Sequence, residues 1–159
     1  MKAKKLKTSF LNFDDNLISK NALAVIKTLK NNGFQAFLVG GCVRDLLISV
    51  KPKDFDVATN ATPNNIKRIF KNCNLIGRRF RLAHIRYGRE IIEVSTFRSA
   101  SKPSNRNLMM DHTGRIIRDN EFGSIEEDAI RRDFRCNALY YDATKKKIWD
   151  FTGGLDDIQ

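Results

Sequence analysis

Cysteine, histidine and long apolar runs are all scarce in this chain, and each scarcity closes off a class of function. The three cysteines, Cys42, Cys73 and Cys136, stand far apart. No two have zinc-site spacing, so free thiols in a reducing compartment are expected rather than a disulfide framework. The two histidines, His84 and His112, are isolated, and a zinc site is not expected. No apolar run approaches the length of a membrane span. The N-terminus, MKAKKLKTSF, is basic but lacks the apolar core of a secretory leader, so a cytoplasmic protein with no membrane partner is expected. There is no G-x-x-x-x-G-K-[ST], which argues against a P-loop, and no internal repeat or low-complexity block. Acidic residues are also short: 18 Asp and Glu face 29 Lys and Arg, for a net charge of +11. Such an excess favours a polyanionic partner, nucleic acid above all. With 159 residues, 42% of them apolar, the chain has enough for a real core in one domain or two small ones.

What the chain does have is concentrated between Ala36 and Val57. An apolar run ends abruptly at Gly40 and Gly41, and an apolar helical segment starts straight after, from Val43 to Ile48. Two glycines at the end of a buried strand let the backbone turn sharply and leave N–H groups uncovered, a nest suited to phosphate oxygens. A short basic loop then leads to Asp54 and Asp56. These lie two apart on an expected strand from Asp54 to Ala58, so both carboxylates leave one face and can hold a divalent metal. A phosphate cradle beside a carboxylate pair is the minimum equipment for phosphoryl or nucleotidyl transfer. Either part alone is more often a plain turn or a solvated strand edge.

The stretch LVGGCVRDLL followed by KDFDVATNATP resembles the head domain of class II nucleotidyltransferases, the family of CCA-adding enzymes and bacterial poly(A) polymerases. The family pattern GG-x-VRD and then D-x-D is intact. Further on, GRRFRLAH looks more like the poly(A) polymerase branch than the CCA-adding branch.

The remaining elements follow from local pattern. Residues 1–14 are expected to form a mobile basic tail, and residues 15–159 the head domain. Apolar positions Leu17, Ile18, Ala22, Val25, Ile26 and Leu29 recur at helical spacing, with Gly33 as the stop. Phe34 to Val39 reads as a strand. Thr62 and Pro63 open a helix with a basic outer face. Leu75 to Ala83 reads as a surface loop in which Arg78, Arg79 and Arg81 surround Phe80, and these guanidiniums become candidate phosphate or RNA contacts beside a cradle. His84 to Tyr87 and Glu90 to Thr96 form a hairpin across Gly88. If Ile92 and Val94 face the core, Glu93 faces the other side and becomes a possible third carboxylate. Arg98 to Ile116, with Pro103 and Gly114, reads as a flexible loop beside the active site. Ser124 and Glu127 make a capping box that opens a helix running on through Phe134. On that helix Asp133 and Asn137 would share a face. Ala138 to Tyr141 and Lys147 to Phe151 make a closing hairpin.

In this context EEDAIRRDFRCNAL is similar to the family's second signature, which contacts the incoming nucleotide; Arg135 and Cys136 stand where the family has small or aliphatic residues. The resemblance implies an α/β fold, a small mixed β-sheet backed by helices of the polymerase-beta-like palm type. It implies transfer of AMP from ATP to an RNA 3′ end with release of pyrophosphate. Asp54 and Asp56 would hold two Mg²⁺ ions and, with Asp133 ahead of Glu93 as the third acid, form the catalytic set. Gly40, Gly41, Arg44, Arg132, Asp133 and Asn137 would bind the nucleotide. Two alternatives stay open, a CCA-adding enzyme and a basic RNA-binding module with inert carboxylates. The match covers a head domain only, so a chain cut before the neck, body and tail is expected.

Overall fold

The computed structural model describes residues 2–78, 80–99, 108–110, 116–119 and 122–158, with backbone alone for 108–110 and 116–119. Ten strands and four α-helices are found there. They are β1 Lys4–Lys7, α1 Lys20–Asn31, β2 Ala36–Val39, α2 Gly41–Leu47, β3 Asp56–Thr59, α3 Pro63–Ile69, β4 Cys73–Ile76, β5 Leu82–Tyr87, β6 Glu90–Thr96, β7 Leu108–Met110, β8 Ile116–Asp119, α4 Ile125–Ile130, β9 Leu139–Asp142 and β10 Lys147–Asp150. Eight strands form one sheet in the order β1-β10-β9-β2-β3-β6-β5-β4, and β7 and β8 pair separately. Within the large sheet β3 and β6 run parallel while the other pairs are antiparallel. This is the mixed α/β sheet the sequence pointed to.

Alternation along the strands divides the side chains between two faces. Leu38, Val57, Ala83, Ile85, Ile92 and Val94 belong to the main core, together with Ala22, Val25, Ile26 and Leu29 of α1 and Val43 and Leu46 of α2. The neighbours of opposite parity, Phe37, Val39 and Ala58, join Phe97, Tyr140 and α4's Ile125 and Ala129 in a second, smaller core. Helix α1 starts on Ser19, whose hydroxyl accepts the Ala22 N–H. The Thr62 hydroxyl and the Asn65 side chain close a reciprocal capping box on α3. Among the described residues α4 is the helix that joins this second core, and Asp56, at the start of β3, is only half-buried.

The structure corrects several expectations. Lys4–Lys7, placed in a mobile tail, is an edge strand paired with β10 from Lys4↔Asp150 to Lys7↔Lys147. The strand expected from Asp54 begins at Asp56, so Asp54 sits in the loop just before it. The segment read as a surface loop from Leu75 contains part of β4, which pairs with β5. Part of the expected loop from Arg98 to Ile116 forms β7 and reaches the start of β8; its remaining residues after Ser99 lie outside the described residues, as does Arg79. Helix α4 stops at Ile130 instead of continuing through Phe134, and a short 3-10 turn, Arg135–Asn137, follows. Asp133 and Asn137 therefore share no helical face.

Candidate active site

Register builds the site. Val39, the last residue of β2, pairs with Asp56, the first of β3, and Asp56 pairs on its other side with Glu93 of β6. Glu93 in turn pairs with His84 of β5, whose Nε2 lies 3.5 Å from Glu93 Oε2. Val57, Ile92, Val94, Ala83 and Ile85 all point into the main core. Asp56, Glu93 and His84 consequently emerge together on the second face.

The chain leaves β2 beside Asp56 through Gly40, at φ 82° and ψ −148°, a region only glycine occupies without strain. A Cβ on Gly40 would lie 3.7 Å from Asp56 Oδ2, and one on Gly41 would meet Arg44 Nη2 at 3.2 Å. The glycines thus let bare backbone pass between the carboxylate and the guanidinium. Arg44 donates through Nη1 to Asn137 Oδ1 at 2.9 Å and through Nε and Nη2 to Asp45 Oδ1 at 3.2 and 3.1 Å. The two signatures, 93 residues apart in sequence, meet at that amide.

The electrostatics mark Asp56 as the strained member. Burial, then the neighbouring Glu93 and Asp54 carboxylates, push its pKa from 3.8 up to about 6, against the pull of Arg132 and His84. A carboxylate held in its charged form by too little positive charge is a place where a cation fits. Among the described residues no three acidic, histidine or cysteine side chains converge as a ready-made metal cage. The donor chemistry still suits a hard ion: Asp56, Asp54 and Glu93 offer oxygen alone, the set that Mg²⁺ prefers. Beside them the Cys42 thiol donates to Val39 O at 3.2 Å, and burial pushes its pKa up to about 12. It is therefore no nucleophile at neutral pH.

Arg132 approaches Asp56 closely enough to lower its pKa, and it is held from behind. Its Nε donates to Asp128 Oδ2 at 3.0 Å and to the Tyr140 hydroxyl at 3.1 Å. Asp128 is fully buried, and it also accepts from the Tyr140 hydroxyl at 2.6 Å, Arg131 Nη2 at 3.0 Å and the Arg98 N–H at 3.0 Å. Although burial works against the charge, these donors hold the carboxyl below its usual range. Sequence reasoning missed Asp128 and Tyr140. The signal was present as an acid followed by arginines three and four residues later, but nothing in the spacing says that the acid is buried.

Asp133 is exposed, lies beyond the end of α4, and is not among the charges acting on Asp56. Arg78 and Arg81 lie in the connection between β4 and β5; Arg81 directly precedes β5, three residues before His84, a distance of roughly 10 Å along the strand. Phe80 between them carries the Arg98 guanidinium on its ring, 3.8 Å from the centroid.

Comparison with known proteins places this geometry. Residues 36–159 match the model of the Poly A polymerase head domain. The poly(A) polymerase I of Salmonella typhi is 53% identical over 145 residues, which cover 89% of this chain and 31% of the relative. The CCA-adding enzyme of Oceanobacillus iheyensis is 38% identical over 87% of this chain and 32% of its own length. The crystal structure of the Bacillus stearothermophilus CCA-adding enzyme in complex with CTP superimposes with a TM-score of 0.66 at 33% identity, covering 86% of this chain and 30% of that one. The chain thus spans about a third of the length of the curated relatives it matches.

Proposed function

The chain belongs to the Poly A polymerase head-domain family of class II nucleotidyltransferases, and from that premise we propose that it adds AMP from ATP to RNA 3′ ends. The observation that carries this reading is the juxtaposition of Asp56, backed by Glu93, with the Gly40–Gly41 turn and Arg44. In the step itself the RNA 3′ oxygen bonds to the α-phosphorus of ATP. The bond from that phosphorus to the bridging oxygen breaks, pyrophosphate leaves, and the hydroxyl proton passes to solvent. The Gly40–Gly41 backbone and Arg44 receive the triphosphate. Arg132, fixed by Asp128 and Tyr140 through Nε, has no protein partner on either Nη among the described residues and turns them toward phosphate. Asn137 orients Arg44.

Asp54 and Asp56 would hold two Mg²⁺ ions, which lower the pKa of the attacking hydroxyl and offset charge on the triphosphate. Glu93, opposite Asp56, completes the acidic set in this reading, while exposed Asp133 contacts the ribose. The greater identity to poly(A) polymerase I than to CCA-adding enzymes, 53% against 38%, favours ATP as the sole nucleotide. The nucleotide pool is the test. The full chain as it occurs naturally is given an RNA primer and all four triphosphates, and the products are sequenced. Homopolymeric A tails are expected from the wild type and none from Asp56→Ala; products ending in CCA would replace this reading with tRNA maturation.

A further inference from the structure

An open pocket of about 400 Å³ lies at the ends of β3 and β6, lined by Lys53, Asp54, Phe55, Arg89, Glu90 and Ile91. Its charges are arranged unevenly. The Glu90 carboxylate is turned away, accepting from the Ser19 hydroxyl at 2.6 Å and from Asn21 Nδ2 at 2.9 Å. This pins the β5–β6 turn to the start of α1. Lys53 and Arg89 are exposed, and neither forms an ion pair with Asp54 or any other acid among the described residues. Two cations without an ion pair among the described residues thus flank a pocket that exposed Asp54 also lines. Exposed Ile91 shares the sheet face of Glu93, two residues further along β6.

Strand order fixes where this pocket lies relative to the cradle. The Gly40–Gly41 turn follows β2, on one side of β3, and the pocket is built from the start of β6, on the other. Asp54 and Asp56 stand between them. Nucleotidyl transfer needs the attacking hydroxyl and the leaving pyrophosphate in line across the reacting phosphorus. With the triphosphate on the β2 side, the attacker must arrive from the β6 side. We propose that this pocket seats the RNA 3′ end, with Lys53 and Arg89 gripping the backbone phosphates just before the terminal nucleotide. The proposal rests on the RNA nucleotidyltransferase reading above and names the primer side of that site. Arg78 and Arg81, in the β4–β5 connection, lie beyond the end of β5 opposite the one that pairs with Glu90, and do not line this pocket.

The test compares wild type with Lys53→Gln, Arg89→Gln and the double variant in the full chain, using an oligo(A) primer and ATP. The double variant is expected to raise the KM for the oligonucleotide about tenfold, with kcat at saturating primer and the KM for ATP unchanged. The salt dependence of primer affinity should flatten by about 0.7 in log–log slope for each phosphate contact removed. Lys53→Arg and Arg89→Lys should keep most of the affinity and the slope. If the double variant fails to fold, the single variants carry the same comparison. Unchanged primer KM and slope with normal A addition would overturn the seat alone. A KM for ATP that rises in step would assign these cations to the nucleotide instead. A wild-type chain that extends no primer would overturn the parent reading and the seat with it.

Discussion

Asp56 is held where its charge is least welcome, and the consequence is readable in stability. Its pKa in the fold, about 6, lies above the 3.8 of an unperturbed aspartate. The folded chain therefore binds this proton more tightly than the unfolded chain does. That stabilising contribution is complete below pH 3.8 and is lost as pH climbs through about 6. Above that, the ionised group disfavours the fold by at most about 3 kcal/mol. Asp56→Asn should accordingly melt at a higher temperature than wild type at pH 7.5 in EDTA, with the difference gone by about pH 4. A variant that melts lower than wild type at both pH values would show that Glu93 and Asp54 do not crowd it. Glu93 and Asp133 separate by kinetics. Removing a group that acts on the transition state lowers kcat and leaves affinity alone, whereas a nucleotide-positioning group also weakens ATP binding. Glu93→Gln is expected to lose kcat mainly, and Asp133→Ala to raise the KM for ATP; single-turnover rates across ATP concentration measure both. The shared outward face of Asp56 and Glu93 was legible because period-2 alternation assigns a face residue by residue, whereas Asp54, expected on the same strand, lies in the loop before it. Which acid stands directly beside Asp56 was not legible, because that depends on which strand lies next to β3.

At the scale of elements, α4 shows where local pattern stops being informative. Ser124 and Glu127 start it as their spacing requires, with Ser124 Oγ accepting the Glu127 N–H and Glu127 Oε1 accepting the Ser124 N–H. Beyond Ile130 the chain is held by tertiary contacts, Arg132 Nε to the Tyr140 hydroxyl, Arg44 Nη1 to Asn137 Oδ1 and Arg135 to Asp157, and Phe134 takes φ 60°, outside helical backbone. A helix continued through Phe134 would break neither propensity nor period, so no reading of the sequence alone could end it at Ile130. The Asp128–Tyr140–Arg132 cluster is also the element-level device that aims Arg132. Tyr140→Phe removes one hydroxyl that both donates to Asp128 and accepts from Arg132. It should cost about 1 kcal/mol in denaturant unfolding and raise the KM for ATP several-fold, with the primer KM unchanged. Unaltered ATP kinetics at the lower stability would make the cluster structural only. β4 was missed for a related reason: of Cys73–Ile76 only Cys73 is buried, so the strand exists by its ladder to β5 rather than by an apolar face.

For the whole molecule, the informative surprise is the N-terminal strand. Lys4, Lys5 and Lys7 look like a solvated tail because only Leu6 among them is apolar. Backbone pairing to β10, the Thr8 N–H to Lys146 O bond at 3.0 Å and the Lys5 ammonium 3.7 Å from the Trp149 ring centroid hold the segment in place. Strand order separates β1 from β3 by four inter-strand steps, roughly 19 Å. These lysines therefore belong to a different region of the positive surface from Lys53 and Arg89. Edge strands invite pairing with another chain, and lysines on the edge discourage it. Deleting residues 1–7 would strip this guard, bare the β10 ladder and uncover Trp149. The deletion is expected to lower the melting temperature and to produce concentration-dependent self-association in sedimentation, while the KM for ATP stays within twofold of wild type. Replacing Lys4, Lys5 and Lys7 by Gln, which keeps the backbone pairing, should leave the melting temperature nearly unchanged and still increase self-association. If instead the triple Gln chain remains monomeric but loses primer affinity, the lysines act on RNA and the edge is protected by pairing geometry alone.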